Sequence, residues 1–185
     1  DTLSLHDALP IFQNLTVRFG EVLAVDNVSI DIAEGEFVSI VGPSGCGKTT
    51  VLNLLTGLVP LEQGRISLMG KTPAVGNADV AYMLARDSLL PWRVALDNAS
   101  CGMEIRGVAQ ADREAKARAL LERVGLKGFE NHFPKMLSHG MRQRCALART
   151  FCLDSPVMLM DEPFGALDAL TRAKLQDELL QIVAK

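Results

Sequence analysis

The sequence predicts one α/β domain carrying a helical insert, and three observations predict it. Two short, nearly continuous apolar runs, Phe37–Val41 and Val157–Met160, read as buried strands, each leading into a loop and then a helix. Ahead of them, Ile11–Phe19 and Val22–Ile32 alternate apolar and polar residues about Gly20-Glu21, the pattern of two antiparallel strands. Between the apolar runs the periodicity is largely helical.

The elements follow in order. Val25, Val28, Ile30 and Ile32 are expected on one face of the second strand, and Glu34-Gly35-Glu36 turns the chain into the central strand Phe37–Val41. A helix is predicted from about Lys48 to Leu58, with strands at Gly64–Met69 and Ala78–Leu84. Gln110–Val124 puts Leu120, Leu121 and Val124 on one face and Arg113, Glu114, Lys116 and Arg118 mostly opposite, as an amphipathic helix does. Ser138 is a good N-cap residue for a helix running to Leu153. After the strand Val157–Met160, a last helix is expected from about Ala169. Asp1–Pro10 matches no element expected before a first strand and reads like translated sequencing-adapter sequence, so residues 1–10 are expected to be a non-native leader.

Composition narrows the function. A net charge of −3 and a pI near 5.6 supply no basic footprint, so no nucleic-acid partner is expected. No stretch approaches the ~20 apolar residues that cross a bilayer, and no signal peptide is visible. Cys46, Cys101, Cys145 and Cys152 form no CxxC pair; scattered thiols fit a reducing compartment and read as small core residues.

Gly42-Pro43-Ser44-Gly45-Cys46-Gly47-Lys48-Thr49 satisfies G-x-x-x-x-G-K-[ST] between a predicted strand and a predicted helix, and Thr50 follows in that helix. Glycines let backbone N–H groups curl round phosphate oxygens, and the helix N-terminus adds the positive end of its dipole. Lys48 is expected on the β and γ phosphates of ATP, and the Thr49 hydroxyl on Mg²⁺. At the end of the second apolar run, Asp161 fits an acid that holds Mg²⁺ through water, and Glu162 fits a general base for the attacking water.

Three further stretches resemble one family. Leu137-Ser-His-Gly-Met-Arg-Gln-Arg144 is similar to the signature of ABC-type ATPases, and Asp161-Glu-Pro-Phe-Gly-Ala-Leu-Asp168 to Walker B running into the D-loop. Phe19 stands where that family places an aromatic against adenine. With Leu89-Leu-Pro-Trp-Arg93, residues 11–185 resemble the ATPase subunits of nitrate/sulfonate/taurine-type importers. The resemblance implies a P-loop NTPase core of the ABC type, with an antiparallel β subdomain and a helical signature subdomain at about 88–155. It implies two copies clamping ATP head to tail, with Ser138 and the backbone at Gly140 reaching the partner's γ-phosphate and Asp168 at the dimer seam. It also implies a membrane permease, indirectly a periplasmic or extracellular solute-binding protein, and a peripheral place on the cytoplasmic side of the membrane. Ser138 as an ordinary N-cap is compatible with its signature role. Trp92 is either an exposed permease contact or a core residue.

The chain departs from the family in three places. Ala85 occupies the position of a Gln that contacts Mg²⁺, and a methyl group cannot ligate a metal; Arg86 or Asp87 could fill the gap only in another geometry. His139 replaces a signature glycine, at a cost only if its ring lies in the way. The family's switch histidine lies past the D-loop, whereas His6, His132 and His139 all precede Asp161, so residues 11–185 are expected to be an incomplete domain. Two alternatives accompany the importer reading: a soluble DNA- or ribosome-associated ATPase of the same type, and an importer subunit that binds ATP but hydrolyses it weakly.

Overall fold

The computed structural model describes residues 11–165, 169–173 and 176–177. They form two compact units that divide between Ala78 and Asp79.

In the first unit, β1 (Ile11–Phe19) and β2 (Val22–Asp31) pair antiparallel about the Gly20-Glu21 turn, and β3 (Gln63–Ser67) pairs antiparallel with the other edge of β1. The strands are not regular. Asn14 (φ 53°) and Asn27 (φ 47°) adopt the left-handed conformation at register shifts, and the Asn14 side chain donates to Asn27 Oδ1 at 3.0 Å. Asn tolerates this conformation better than most residues. Such a bulge moves the alternation by one position, which is how Val25 (buried) and Val28 (half-buried), three residues apart, both turn inward. Gly64 (φ 96°) runs so close to β1 that a Cβ would stand 2.5 Å from the Asn14 carbonyl oxygen. Phe12, Leu15, Val17, Val25 and Ile66 are buried on this sheet. The helix α1 (Lys48–Leu55) packs against β2 and buries Val51, Leu54 and Leu55. It ends three residues short of the expected Leu58, because Gly57 (φ 73°) leaves the helical conformation.

One expected element is corrected. Phe37–Val41 is not a buried strand: it forms no ladder among the described residues, and Val41 is 89% exposed. A continuous apolar run becomes a central strand only when neighbours cover both edges and both faces. Within its own unit the three strands pair with one another and leave this run outside the sheet.

In the second unit, β4 (Val80–Met83) and β5 (Val157–Met160) pair parallel in register, Val80 opposite Val157. Three helices, α2 (Ala95–Ile105), α3 (Gln110–Arg123) and α4 (His139–Phe151), surround one apolar core. Leu96, Ala99 and Met103 from α2 meet Ala117, Leu120 and Leu121 from α3, and Cys145, Leu147 and Phe151 from α4. Burying each large aliphatic chain contributes about 1.5–3 kcal/mol. The α2 helix has no counterpart among the expected elements, since its apolar stripe is interrupted by Asn98, Ser100 and Gly102. Asn98 is fully buried, and Gly102 sits where a Cβ would stand 2.5 Å from Leu153. Cys145 and Cys152 lie in the core as expected, but Cys46 is exposed, because its place in the loop leaves it outside any packed layer. No described helix is long and apolar enough to cross a membrane. The expected leader Asp1–Pro10, and Asp168 with much of the expected last helix, lie outside the described residues.

Candidate functional site

In the first unit, the candidate phosphate-binding segment is a loop and a helix start. Gly47 is the N-cap of α1 in the left-handed conformation (φ 97°), and a Cβ there would meet the Ala24 carbonyl oxygen on β2 at 2.4 Å. Only glycine lets the chain turn this close to the strand. The Gly47 cap makes no side-chain bond and no acid occupies the first turn of α1, so the positive end of its dipole meets no carboxylate of its own helix there. Lys48 Nζ donates to the carbonyls of Gly42 at 2.9 Å and Pro43 at 2.8 Å, and lies 4.0 Å from Cys46 Sγ. The ammonium is thereby folded across the loop Gly42–Cys46, whose residues are all exposed. In these two bonds only the donor is charged; an anion entering here gives the ammonium a charged acceptor as well, which makes the stronger pair. Thr49 is exposed and Thr50 half-buried in the first turn of α1. Phe19, 52% exposed at the tip of the β1–β2 hairpin, presents its ring to solvent.

The second unit holds the acidic pair. Asp161 follows β5 and is buried, and its N–H donates to the Met83 carbonyl on β4 at 2.9 Å. Burial and, secondarily, the Asp161 charge push the Tyr82 hydroxyl up to about 12. Directly after, Glu162 takes a left-handed conformation (φ 49°) and is exposed. Its carbonyl accepts from Gln143 Nε2 at 3.2 Å and from Gly165 N–H at 3.1 Å. Two adjacent carboxylates are thus sent to different environments, one inward and one to solvent.

The expected signature segment opens α4. Ser138 is its N-cap, Oγ accepting from Met141 N–H at 3.3 Å, and the residue is exposed. Gly140 is half-buried, and its carbonyl accepts from Arg144 Nε at 3.4 Å. The His139 ring is exposed rather than packed against the turn, and its Nδ1 lies 3.3 Å from Arg142. Asp87 is not a free substitute for the absent Gln, because its carboxylate accepts from Arg142 Nε at 2.8 Å.

Two arrangements have no signal in the sequence. The buried amide of Asn98 accepts from Leu90 N–H at 2.7 Å and donates to the carbonyls of Leu90, Arg93 and Val94, which pins the Leu90–Val94 turn onto α2. That turn holds Trp92 outward, 71% exposed, so of its two readings the core one is excluded. Arg93 pairs with Glu104 at 2.5 Å and holds that carboxyl below its ordinary range. A lone interior Asn gives no pattern in a sequence; only its position opposite a turn reveals it.

Residues 25–165 match the family described as ABC transporter. The chain belongs to that family. The ABC match spans the phosphate loop, the signature segment and the acidic strand end together. Among curated relatives, the taurine import ATP-binding protein TauB of Rhizobium johnstonii is 46% identical over 166 residues, covering 89% of this chain and 63% of the relative. An ABC transporter ATP-binding protein of Methanocaldococcus jannaschii is 44% identical over 177 residues, covering 94% of this chain and 66% of the relative. The chain therefore spans somewhat less than two thirds of the length of these relatives. Among solved structures, the ATP-binding cassette MJ0796, described as a dimeric post-hydrolysis state bound to ADP and Pi, superposes with a TM-score of 0.85 at 30% identity, covering 95% of this chain and 83% of that one. The predicted fold class, an ABC-type ATPase with an antiparallel sheet and helices, is the observed one.

Proposed function

We propose that the intact protein is the ATP-binding and ATP-hydrolysing subunit of a solute importer. The observation that carries this reading is the start of α1, uncapped by side chains, with the Lys48 ammonium folded across an exposed glycine loop. Such a start suits the polyphosphate of a nucleotide.

In this reading Gly42–Thr50 bind the phosphates, Lys48 leaves its two loop carbonyls for the β and γ oxygens, and Phe19 covers the base. Magnesium, when bound, supplies positive charge that offsets the charge building on the phosphates. Thr49 and Asp161 would hold it; among the described residues no cluster of three or more His, Cys, Asp or Glu gathers for a metal. The Thr49 hydroxyl, and the Asp161 carboxylate acting through water, are hard oxygen groups of the kind that would suit such a cation. Glu162, exposed at the strand end, accepts a proton from the attacking water. A second copy supplies Ser138 and Gly140 at the N-terminus of its α4, with Asp168 at the seam. The permease engages the surface around Trp92, a solute-binding protein delivers the solute, and the subunit sits on the cytoplasmic face of the membrane. The names of the TauB relatives make taurine-like sulfonates the first solute class to try.

The test uses the full-length protein. Binding of a fluorescent ATP analogue with Mg²⁺ should be lost in Lys48→Ala and kept in Glu162→Gln, whereas Glu162→Gln should abolish turnover. Equal nucleotide binding by Lys48→Ala would refute the assignment of the loop.

Ala85 and the engagement of Asp87 by Arg142 favour a second reading, in which the subunit binds ATP but hydrolyses it weakly. Turnover with and without Ala85→Gln separates the two: vigorous, equal hydrolysis in both removes the weak-hydrolysis reading.

A further inference from the structure

The segment after β4 and the start of α4 are tied by a compact ionic cluster that none of the roles above uses. Arg142, one turn into α4, donates Nε to Asp87 Oδ2 at 2.8 Å and NH1 to the Leu137 carbonyl at 2.9 Å. Its NH2 lies 3.3 Å from His139 Nδ1, which itself stands 3.9 Å from Asp87 Oδ2. Further along the helix, Arg149 donates to the carbonyls of Asp87 and Ser88, both at 2.9 Å. A single guanidinium therefore touches the loop carboxylate, the residue before Ser138 and the residue after it.

We propose that Asp87 is a positioning residue for the signature turn: through Arg142 and His139 it fixes the orientation of Ser138 relative to the segment at 84–88. Three physical features support this. The Asp87 and Arg142 side chains are only 21% and 31% exposed, so their attraction is less screened than that of a surface pair. The planar fork of Arg142 binds three groups in fixed directions, which an ammonium on a flexible stem does not do. Arg149 anchors the Asp87 backbone independently, so the carboxylate is presented from a held position. His139 extends the cluster where a glycine would end it, giving the third Arg142 nitrogen a partner. The groups about the Asp87 carboxylate are the Arg142 guanidinium and the His139 ring, with Arg149 on the Asp87 backbone carbonyl and the buried Cys145 thiol nearby.

The proposal rests on the reading of Ser138 as a nucleotide-contacting residue of a second copy, and the test separates the two. In the full-length protein, ATP-driven pairing of copies would be measured by light scattering in the Glu162→Gln background, with nucleotide binding to the single chain measured in parallel. Asp87→Asn should raise the ATP concentration needed for pairing by about tenfold, the scale of one lost charge-assisted bond, and leave single-chain binding within twofold. Asp87→Glu should restore pairing in part, which a general loss of packing would not allow. Amide exchange supplies a readout independent of nucleotide: Asp87→Asn should speed exchange at Met141 and Arg142 together with residues 84–88, leaving the α3 amides unchanged. Unaltered exchange at Met141 and Arg142 in Asp87→Asn overturns the proposal whether or not copies pair. If wild type fails to pair while exchange behaves as expected, the two-copy reading falls and the positioning role stands.

Discussion

Gln143 and Glu162 are joined at 3.2 Å, the side-chain amide of one donating to the backbone carbonyl of the other. Gln143 is 3% exposed, and Glu162 sits at φ 49°, a conformation a non-glycine residue adopts at a cost. The bond supports the strained turn that sends the Glu162 carboxylate outward. Gln143→Leu should therefore lower turnover of the intact protein far more than its affinity for ATP, with a stability loss of about 1–2 kcal/mol. Steady-state kinetics against nucleotide titration, with urea melts, checks both halves.

Gly47 tests the phosphate loop by sterics alone. A methyl group would overlap the Ala24 carbonyl oxygen at 2.4 Å on a backbone at φ 97°. Gly47→Ala should cost on the order of 2 kcal/mol and displace the α1 start. The expected outcome is loss of nucleotide-analogue binding while the second unit keeps its thermal transition, measured by calorimetry.

Asn98→Ala removes four hydrogen bonds at once; the Leu90 and Val94 carbonyls keep the backbone N–H of residues 93 and 98, whereas Leu90 N–H and the Arg93 carbonyl lose the amide that held them. A destabilisation of about 3 kcal/mol is expected. Trp92 fluorescence should become more mobile, read as lower anisotropy at temperatures well below unfolding.

Thiol reactivity should sort by burial. Cys46 is exposed, whereas burial pushes the Cys145 and Cys152 thiols up to about 12. At pH 8 a thiol reagent should modify Cys46 first and reach Cys145 and Cys152 only in denaturant.

Alkaline pH should erode stability, and the sign is fixed by linkage. Tyr82, Cys145 and Cys152 all hold their protons more tightly when folded, so their contribution is complete below their ordinary values of 9.0–10.0 and declines as pH rises toward 12. Urea midpoints should fall between pH 9 and pH 11, and Tyr82→Phe should flatten the upper part of that fall.

Much of the fold and of the site is legible in the sequence, for identifiable reasons. Gly47, Lys48 and the Ser138 cap are local chemistry: each acts within a few residues, so spacing alone exposes it. α3 and α4 carry helical periodicities, and β1 and β2 alternate apart from the bulges near Asn14 and Asn27. Phe37–Val41 misleads because an apolar run records what a segment would accept as neighbours, not whether its unit supplies them. The α2 helix hides behind Asn98 and Gly102, whose reasons lie across space at the Leu90–Val94 turn and at Leu153. Cys46 misleads for the opposite reason, since a glycine-rich loop offers no interior to enter. Spacing places Asp87 near the absent Gln and so suggests a metal contact. Only the fold brings Arg142 to its carboxylate and gives it a different role.

The Asn98 anchor also has a mechanical meaning. A rigid tip joined to a long element without a compliant joint behaves as a handle. Tension or pressure on Trp92 finds no slack in the Leu90–Val94 turn, because its carbonyls are gripped by a side chain rooted in α2. Whatever grasps the indole from outside moves α2 with it, and through the shared core it moves α4 as well. Force applied at one exposed ring is delivered as the displacement of a packed three-helix body.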